Sequence, residues 1–232
     1  MINSILEIAR KTPLRPFYRW ARMNYRNPVF RKTMRKIIAD PRYFLDDGEV
    51  LTNLSYGWGN ESHSAGIEYL LDCAGYAAQS KLPILECGSG LTTIVAGLIA
   101  QKTGNTVWSL EHMKSWYKRV RKYIKKYKIS SVKISHAPLI DHDGFSWYDA
   151  PLKSMPDKFS LVICDGPPKD IKGGRYGLLP VMRERLAPGC IILFDNAMWE
   201  KEQANIARWA KEINMNYETR GTERPYYVIK LS

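Results

Sequence analysis

Glu86-Cys87-Gly88-Ser89-Gly90-Leu91-Thr92-Thr93 sets two glycines between a short apolar run and an apolar-patterned helix. Glycines there let the chain turn sharply and let a ligand approach the backbone. The helix that follows offers free N–H groups and the positive end of its dipole. Taken alone, the pair is either a tight structural turn or a ligand cradle. Its place after a strand and before a helix favours the cradle. Glu111 ends the next apolar run, 21 residues after Gly90. A carboxylate there can accept two hydrogen bonds from a ribose diol; the alternative is a surface glutamate at a strand end.

Two later apolar runs also end in acid, Leu161-Val162-Ile163-Cys164-Asp165 and Ile191-Ile192-Leu193-Phe194-Asp195-Asn196. In an open α/β sheet, ligands bind outside the carboxyl ends of the strands. Both acids should therefore face the crevice that holds the glycine loop. Asp165, Asp195 and Asn196 offer three oxygens, a set suited to a hard cation such as Mg²⁺. The other reading is that the acids accept hydrogen bonds from loop backbone. Lys169, just after the Gly166-Pro167-Pro168 turn, joins Asp165 and Asp195 as a group that could remove a proton from an acceptor.

The elements that would carry these residues alternate. Apolar strand candidates lie at 84–87, 107–110, 132–135, 161–164, 191–194 and 226–231, with a weaker one at 217–219. Helical patterns lie at about 63–79, 91–101, 113–127, 176–186 and 200–213. Short, almost wholly apolar strands alternating with helices indicate a mostly parallel sheet covered on both faces. Six residues, 220–225, separate the last two strand candidates, too few for a crossover helix, so these strands should pair antiparallel. Upstream, residues 46–62 read as a loop rich in Gly and Asn. Residues 1–45 read as a basic arm of two or three short helices broken at Pro13, Pro16, Pro28 and Pro41, without a core of its own. The domain division expected is 1–45 for the arm and 46–232 for a catalytic domain.

Sites for NAD and for S-adenosylmethionine share the glycine loop and the distal acid. Glu86 separates them, because a carboxylate just before the glycines opposes a pyrophosphate and suits a cationic amino-acid end. Thr92 and Thr93 also stand where a dinucleotide site has a glycine for close helix packing. ECGSGLTT followed by SLEH and then CDGPP resembles the class I S-adenosylmethionine-dependent methyltransferases, over about residues 55–232. The resemblance implies a Rossmann-like, seven-stranded sheet ending in the antiparallel hairpin. It implies that Glu86, Gly88 and Gly90, with Ser89 and Thr92 of the same loop, serve the methionine part of the cofactor. Glu111 would then serve its ribose, with His112 and the Ala137-Pro138 turn near its adenine and Asp165 bordering the same site. Asp195-Asn196-Ala197-Met198-Trp199 is similar to a segment of the cation-dependent O-methyltransferases of catechol and caffeoyl-CoA type, in which a metal holds the acceptor hydroxyl. The Gly-Pro-Pro turn and a lysine four residues after Asp165 depart from that pattern. Gly166 after Asp165, and Lys169 where an aromatic would stand, also depart from the adenine amino-methyltransferases. Trp58-Gly59-Asn60-Glu61-Ser62 could close over the cofactor or simply pack a loop, and 145–149 could wall the acceptor site.

Charge is unevenly placed. Residues 1–42 carry a net +9 of the chain's +12. Residues 112–133 hold nine Lys or Arg and no acid, with Trp116, Val120 and Ile124 spaced to face a sheet. Such a run is a solvated face or, with the arm, a surface for anionic lipid, with RNA second. At 45% hydrophobic and 25% charged residues the chain is globular in composition. Its four cysteines form no CxxC pair and fit buried thiols in a reducing cytosol. No continuous apolar stretch follows the basic N-terminus, against a cleaved signal peptide. The expected location is cytoplasmic, peripheral to a membrane if the arm binds lipid.

The expected activity is methyl transfer from S-adenosylmethionine to an oxygen of a sugar, glycan or small phenol, with Mg²⁺ or another divalent ion as a second cofactor. One rival is an NAD-linked oxidoreductase, opposed by Glu86 and the terminal hairpin. The other is a non-catalytic cofactor-binding protein recruited to lipid or RNA.

Overall fold

A computed structural model describes residues 15–46, 48–60 and 65–232. The chain divides into two compact units, Met1–Ser64 and Ala65–Ser232. The expected arm residues 1–14, and Glu61 and Ser62 of the expected covering loop, lie outside the described residues. No helix among the described residues is long and apolar enough to cross a membrane.

In the first unit, α1 (Arg15–Ala39), α2 (Tyr43–Asp46) and α3 (Gly48–Trp58) replace the expected short helices and loop. Pro28 lies inside α1, although proline removes a backbone bond and costs about 3 kcal/mol in a helix interior. Packing outweighs that cost: Phe30, Met34 and Ile37 recur at helical spacing and are buried, and α1 lies along α3. The segment 46–62 is helical because Val50, Leu51, Leu54 and Trp58 keep a helical period and are buried. The contact between α1 and α3 is close at Gly57, where a Cβ would stand 2.7 Å from Phe30 Cβ. Trp58 packs near Phe30, ring centres 6.0 Å apart.

The second unit runs α4 (Ile67–Gln79), β1 (Ile84–Cys87), α5 (Leu91–Thr103), β2 (Val107–Glu111), α6 (Lys114–Lys126) and β3 (Val132–His136). A small antiparallel pair follows, β4 (Leu139–His142) and β5 (Phe145–Tyr148), which the sequence patterns did not reveal. Then come β6 (Phe159–Cys164), α7 (Leu178–Met182), β7 (Leu186–Phe194), α8 (Glu200–Glu212), β8 (Met215–Arg220) and β9 (Tyr226–Leu231). The helix expected over 176–186 is thus one short α-helix followed by a 3₁₀ turn, Arg183–Arg185.

The sheet has seven strands in the order β3-β2-β1-β6-β7-β9-β8. β3, β2, β1, β6 and β7 are parallel, and β9 pairs antiparallel with both β7 and β8. The link before β9, residues 221–225, is five residues long and forces that hairpin, as the short spacing required. β1 and β2 are buried along their whole length, which accounts for their mostly apolar runs, with Glu86 and Ser109 as buried polar exceptions. The four cysteines are free and buried. Connections leave β1 toward β2 on one side and arrive at β6 on the other. The strand order therefore reverses between β1 and β6, the point where open α/β sheets bind ligands.

Candidate active site

Strand register gathers the candidate residues into one row. Cys87 pairs with Leu110 on one side and with Cys164 on the other, and Cys164 pairs with Phe194. The next residue on each strand is Gly88, Glu111, Asp165 or Asp195. All four lie at the carboxyl edge of the sheet. Backbone bonds tie the row together: Gly88 N donates to Leu110 O at 3.0 Å, Asp165 N and Gly166 N donate to Cys87 O at 3.0 and 2.8 Å, and Asp195 N donates to Cys164 O at 3.1 Å.

The glycine loop passes against the loop after β6. Gly88 has φ +92°, and a Cβ there would stand 2.8 Å from Gly166 N. Only glycine fits both the conformation and the approach. Above it, Ser89 donates from its N–H (3.2 Å) and its hydroxyl (2.8 Å) to Glu111 Oε2. Met113 N donates to Glu111 Oε1 at 2.8 Å. Glu111 is 3% exposed, so its carboxylate is fixed beside the loop and keeps acceptor capacity for one further donor. His112 follows with Nδ1 3.3 Å from Glu111 Oε1. Ala137 is held at the same edge by its N–H bond to Glu111 O, 2.8 Å.

Glu86 does not face the crevice. It is fully buried, and Thr92 and Thr93 hydroxyls donate to its two oxygens at 2.6 Å each, with Ser109 Oγ at 2.5 Å from the second. Thr93 Oγ1 in turn accepts from Gly90 N at 2.8 Å. Glu86 thus braces the first turn of α5 from below. Burial pushes its carboxyl up to about 7 against the opposing pull of the three hydroxyls.

At the other half of the row, the organising residue is one to which the sequence alone assigned no role. Arg175 is 1% exposed. Its Nη2 donates to Asp165 O (2.6 Å) and approaches Asp165 Oδ1 (3.3 Å), Nη1 donates to Asp195 O (2.6 Å), and Nε donates to Pro167 O (3.3 Å). The available signal was Gly173-Gly174-Arg175: both glycines have positive φ, 74° and 57°, which turns the chain so that the arginine enters the sheet edge. Asn196, at φ 64°, donates from Nδ2 to Asp195 Oδ2 at 2.7 Å, and the same atom lies 3.5 Å from Asp165 Oδ1. Asp195 is buried, whereas the Asp165 side chain keeps 27% of its surface. Burial first and the Asp195 carboxylate second hold Asp165 well above the usual carboxylate range, and Arg175 opposes them. Lys169 is exposed, its Nζ 5.5 Å from the centre of the Trp199 ring, and the Arg175 guanidinium lies 5.3 Å from the same ring.

Asp165, Asp195 and Asn196 therefore do come together, but the set does not fit the divalent cation expected from the sequence. The charge is already opposed by a guanidinium that three carbonyls lock in place, and the asparagine presents its N–H side to both carboxylates. The glycine loop, Glu111 and the free start of α5 do fit a small ligand with a sugar diol. The expected acceptor wall is largely internal, because Trp147 and Tyr148 are buried and Phe145 stacks on His142 with ring centres 4.8 Å apart.

No protein-family model and no curated protein matches the chain. Solved structures of similar fold do. The methyltransferase PaMTH1 of Podospora anserina, solved with SAH bound, aligns at TM-score 0.60 and 17% identity, over 83% of this chain and 88% of that one. An O-methyltransferase from Bacillus cereus in complex with SAH aligns at 0.57 and 13%, over 86% and 100%. A precorrin-6Y C5,15-methyltransferase from Geobacter metallireducens aligns at 0.51 and 13%, over 75% and 95%.

Proposed function

We propose that this chain, which has the fold of the class I S-adenosylmethionine-dependent methyltransferases, is itself such an enzyme and transfers a methyl group to an oxygen of a sugar, glycan or small phenol. The observation that carries the reading is the single row of Gly88, Glu111, Asp165 and Asp195 at the carboxyl edge, on either side of the β1/β6 reversal. When bound, the cofactor supplies a methyl group on a sulfonium, which an acceptor lone pair takes by in-line displacement while the C–S electrons return to sulfur. The chain's own contribution is mostly positioning. Gly88 and Gly90 keep the loop thin enough for close approach. Ser89 and Met113 aim the Glu111 carboxylate, whose spare capacity suits a ribose hydroxyl. Asp165 is the base we assign, because Asp195 is buried and Asp165 keeps part of its carboxylate exposed. The acceptor proton would pass to Asp165, with Lys169 alongside to favour the deprotonated oxygen.

Calorimetry with S-adenosylhomocysteine tests the reading. The chain is expected to bind it and to give no heat with NAD. Glu111→Ala should weaken binding by about 1–3 kcal/mol, since it removes hydrogen bonds to a charged group and frees Ser89. Unchanged affinity in that variant would remove the ribose assignment. With Arg175 as the resident cation, Mn²⁺ titration followed by electron paramagnetic resonance should find no site on the cofactor-loaded protein that Asp195→Asn abolishes. A stoichiometric site lost in that variant would restore the metal reading.

The N-terminal basic arm is proposed to contact anionic lipid, as its net charge and its aromatic residues suit a membrane interface. We propose a cytoplasmic location because its four cysteines are free and buried, as a reducing compartment allows.

A further inference from the structure

Helix α6 carries an excess of positive charge that no acid in the described elements packed against it offsets from the surface. Between Lys102 and Lys133 the chain has ten Lys or Arg and one acid, Glu111, which is buried. The helix packs against β3, α5 and β2, and Glu111 is the only acid in any of the four elements. Val120 and Ile124 face inward. Lys114, Lys118, Arg121, Lys122, Lys125 and Lys126 are all exposed. Their three- and four-residue spacing puts them on one side of a 13-residue helix, about 20 Å long. Among the described residues none of the six forms an ion pair. A solvated helix face ordinarily interleaves both signs, as i,i+4 pairs of opposite charge stabilise it and like charges oppose it. Six like charges kept on one face oppose folding and are better explained by an external anion.

The shape of the face selects among anions. It is a single convex helix side, not a groove. Trp116, Tyr117 and Tyr123 are half-buried at its flanks, so no open ring stands ready to stack a base, as single-stranded nucleic acid sites require. Five of the six cations are lysines, point charges suited to a diffuse surface potential, where phosphate-by-phosphate reading favours the arginine fork. Met113, 52% exposed, stands directly before the helix as an apolar contact. We propose that the exposed side of α6 docks the folded domain on an anionic phospholipid surface. Because α6 begins right after Glu111-His112-Met113, this docking would hold the carboxyl edge of the sheet beside the headgroups.

The test is co-sedimentation of the full chain with phosphatidylserine-containing vesicles and with pure phosphatidylcholine vesicles at low and physiological salt. The combined variant Lys118→Gln, Lys122→Gln, Lys125→Gln leaves the basic arm intact and so isolates α6. The wild type is expected to bind only the anionic vesicles, more weakly at higher salt. Each lysine removed should reduce partition about fivefold, hence roughly a hundredfold for three. The variant's thermal melt should match the wild type, because the replaced side chains are exposed. Wild-type-like partition of the variant, or no binding by the wild type, overturns the proposal. Tighter binding of the wild type to a single-stranded RNA oligonucleotide than to the vesicles, lost in the variant, overturns it in favour of nucleic acid.

Discussion

Arg175→Met is expected to lower the unfolding free energy by about 3–5 kcal/mol, the usual cost of removing one partner from a buried charged network. Methionine fills much of the space but donates nothing. The carbonyls of Asp165, Asp195 and Pro167 would lose their donors, and the two carboxylates would lose the charge that opposes their repulsion. Arg175→Lys should fall between, because one ammonium cannot span two carbonyls as the guanidinium fork does. Urea unfolding at neutral pH measures both. A methionine variant within about 1 kcal/mol of wild type would show that the arginine is not what ties β6 to β7.

Glu86→Gln should change how stability depends on pH. The native carboxyl titrates near 7, against 4.5 for an ordinary glutamate. Between those values the unfolded chain binds fewer protons than the native one, so stability falls as pH rises and the loss is complete above about 7. The shift corresponds to roughly 3 kcal/mol lost over that window. Glutamine has no proton to lose and keeps an oxygen for Thr92 or Thr93. The variant's unfolding free energy should therefore lack this decline, and above pH 7 it should gain on wild type by about that amount relative to their difference at pH 4.5. Parallel pH profiles for the two proteins would mean that Glu86 ionises as easily in the fold as out of it.

The core of the fold was legible because its signals are local. Strand positions 84–87 and 226–231 coincide with β1 and β9, and the others differ at their ends by a few residues. Buried parallel strands are mostly apolar, and a row of strands cut to one length tends to end in polar residues where the crevice opens. The spacing of Glu111 from the glycine loop carries the same information. Helix α3 and the run of α1 through Pro28 were not legible. Gly, Asn and Pro speak for loops and breaks, and only the packing of Phe30 against Gly57 and Trp58 overrides them.

By itself, then, the sequence determined the alternation, the hairpin, and which residues stand at the carboxyl edge, since each follows from period, link length or neighbouring residues. The tertiary structure decided what those residues face. Glu86 reads as a ligand to a cationic group until Ser109, 23 positions away, closes a hydroxyl cage around it. Asp165, Asp195 and Asn196 read as a metal site until Arg175 enters from a loop whose turn depends on two positive-φ glycines. A charge can be counted along a chain, but its partner is set by which backbones pass within hydrogen-bond reach, and that reach exists only once the strands are side by side.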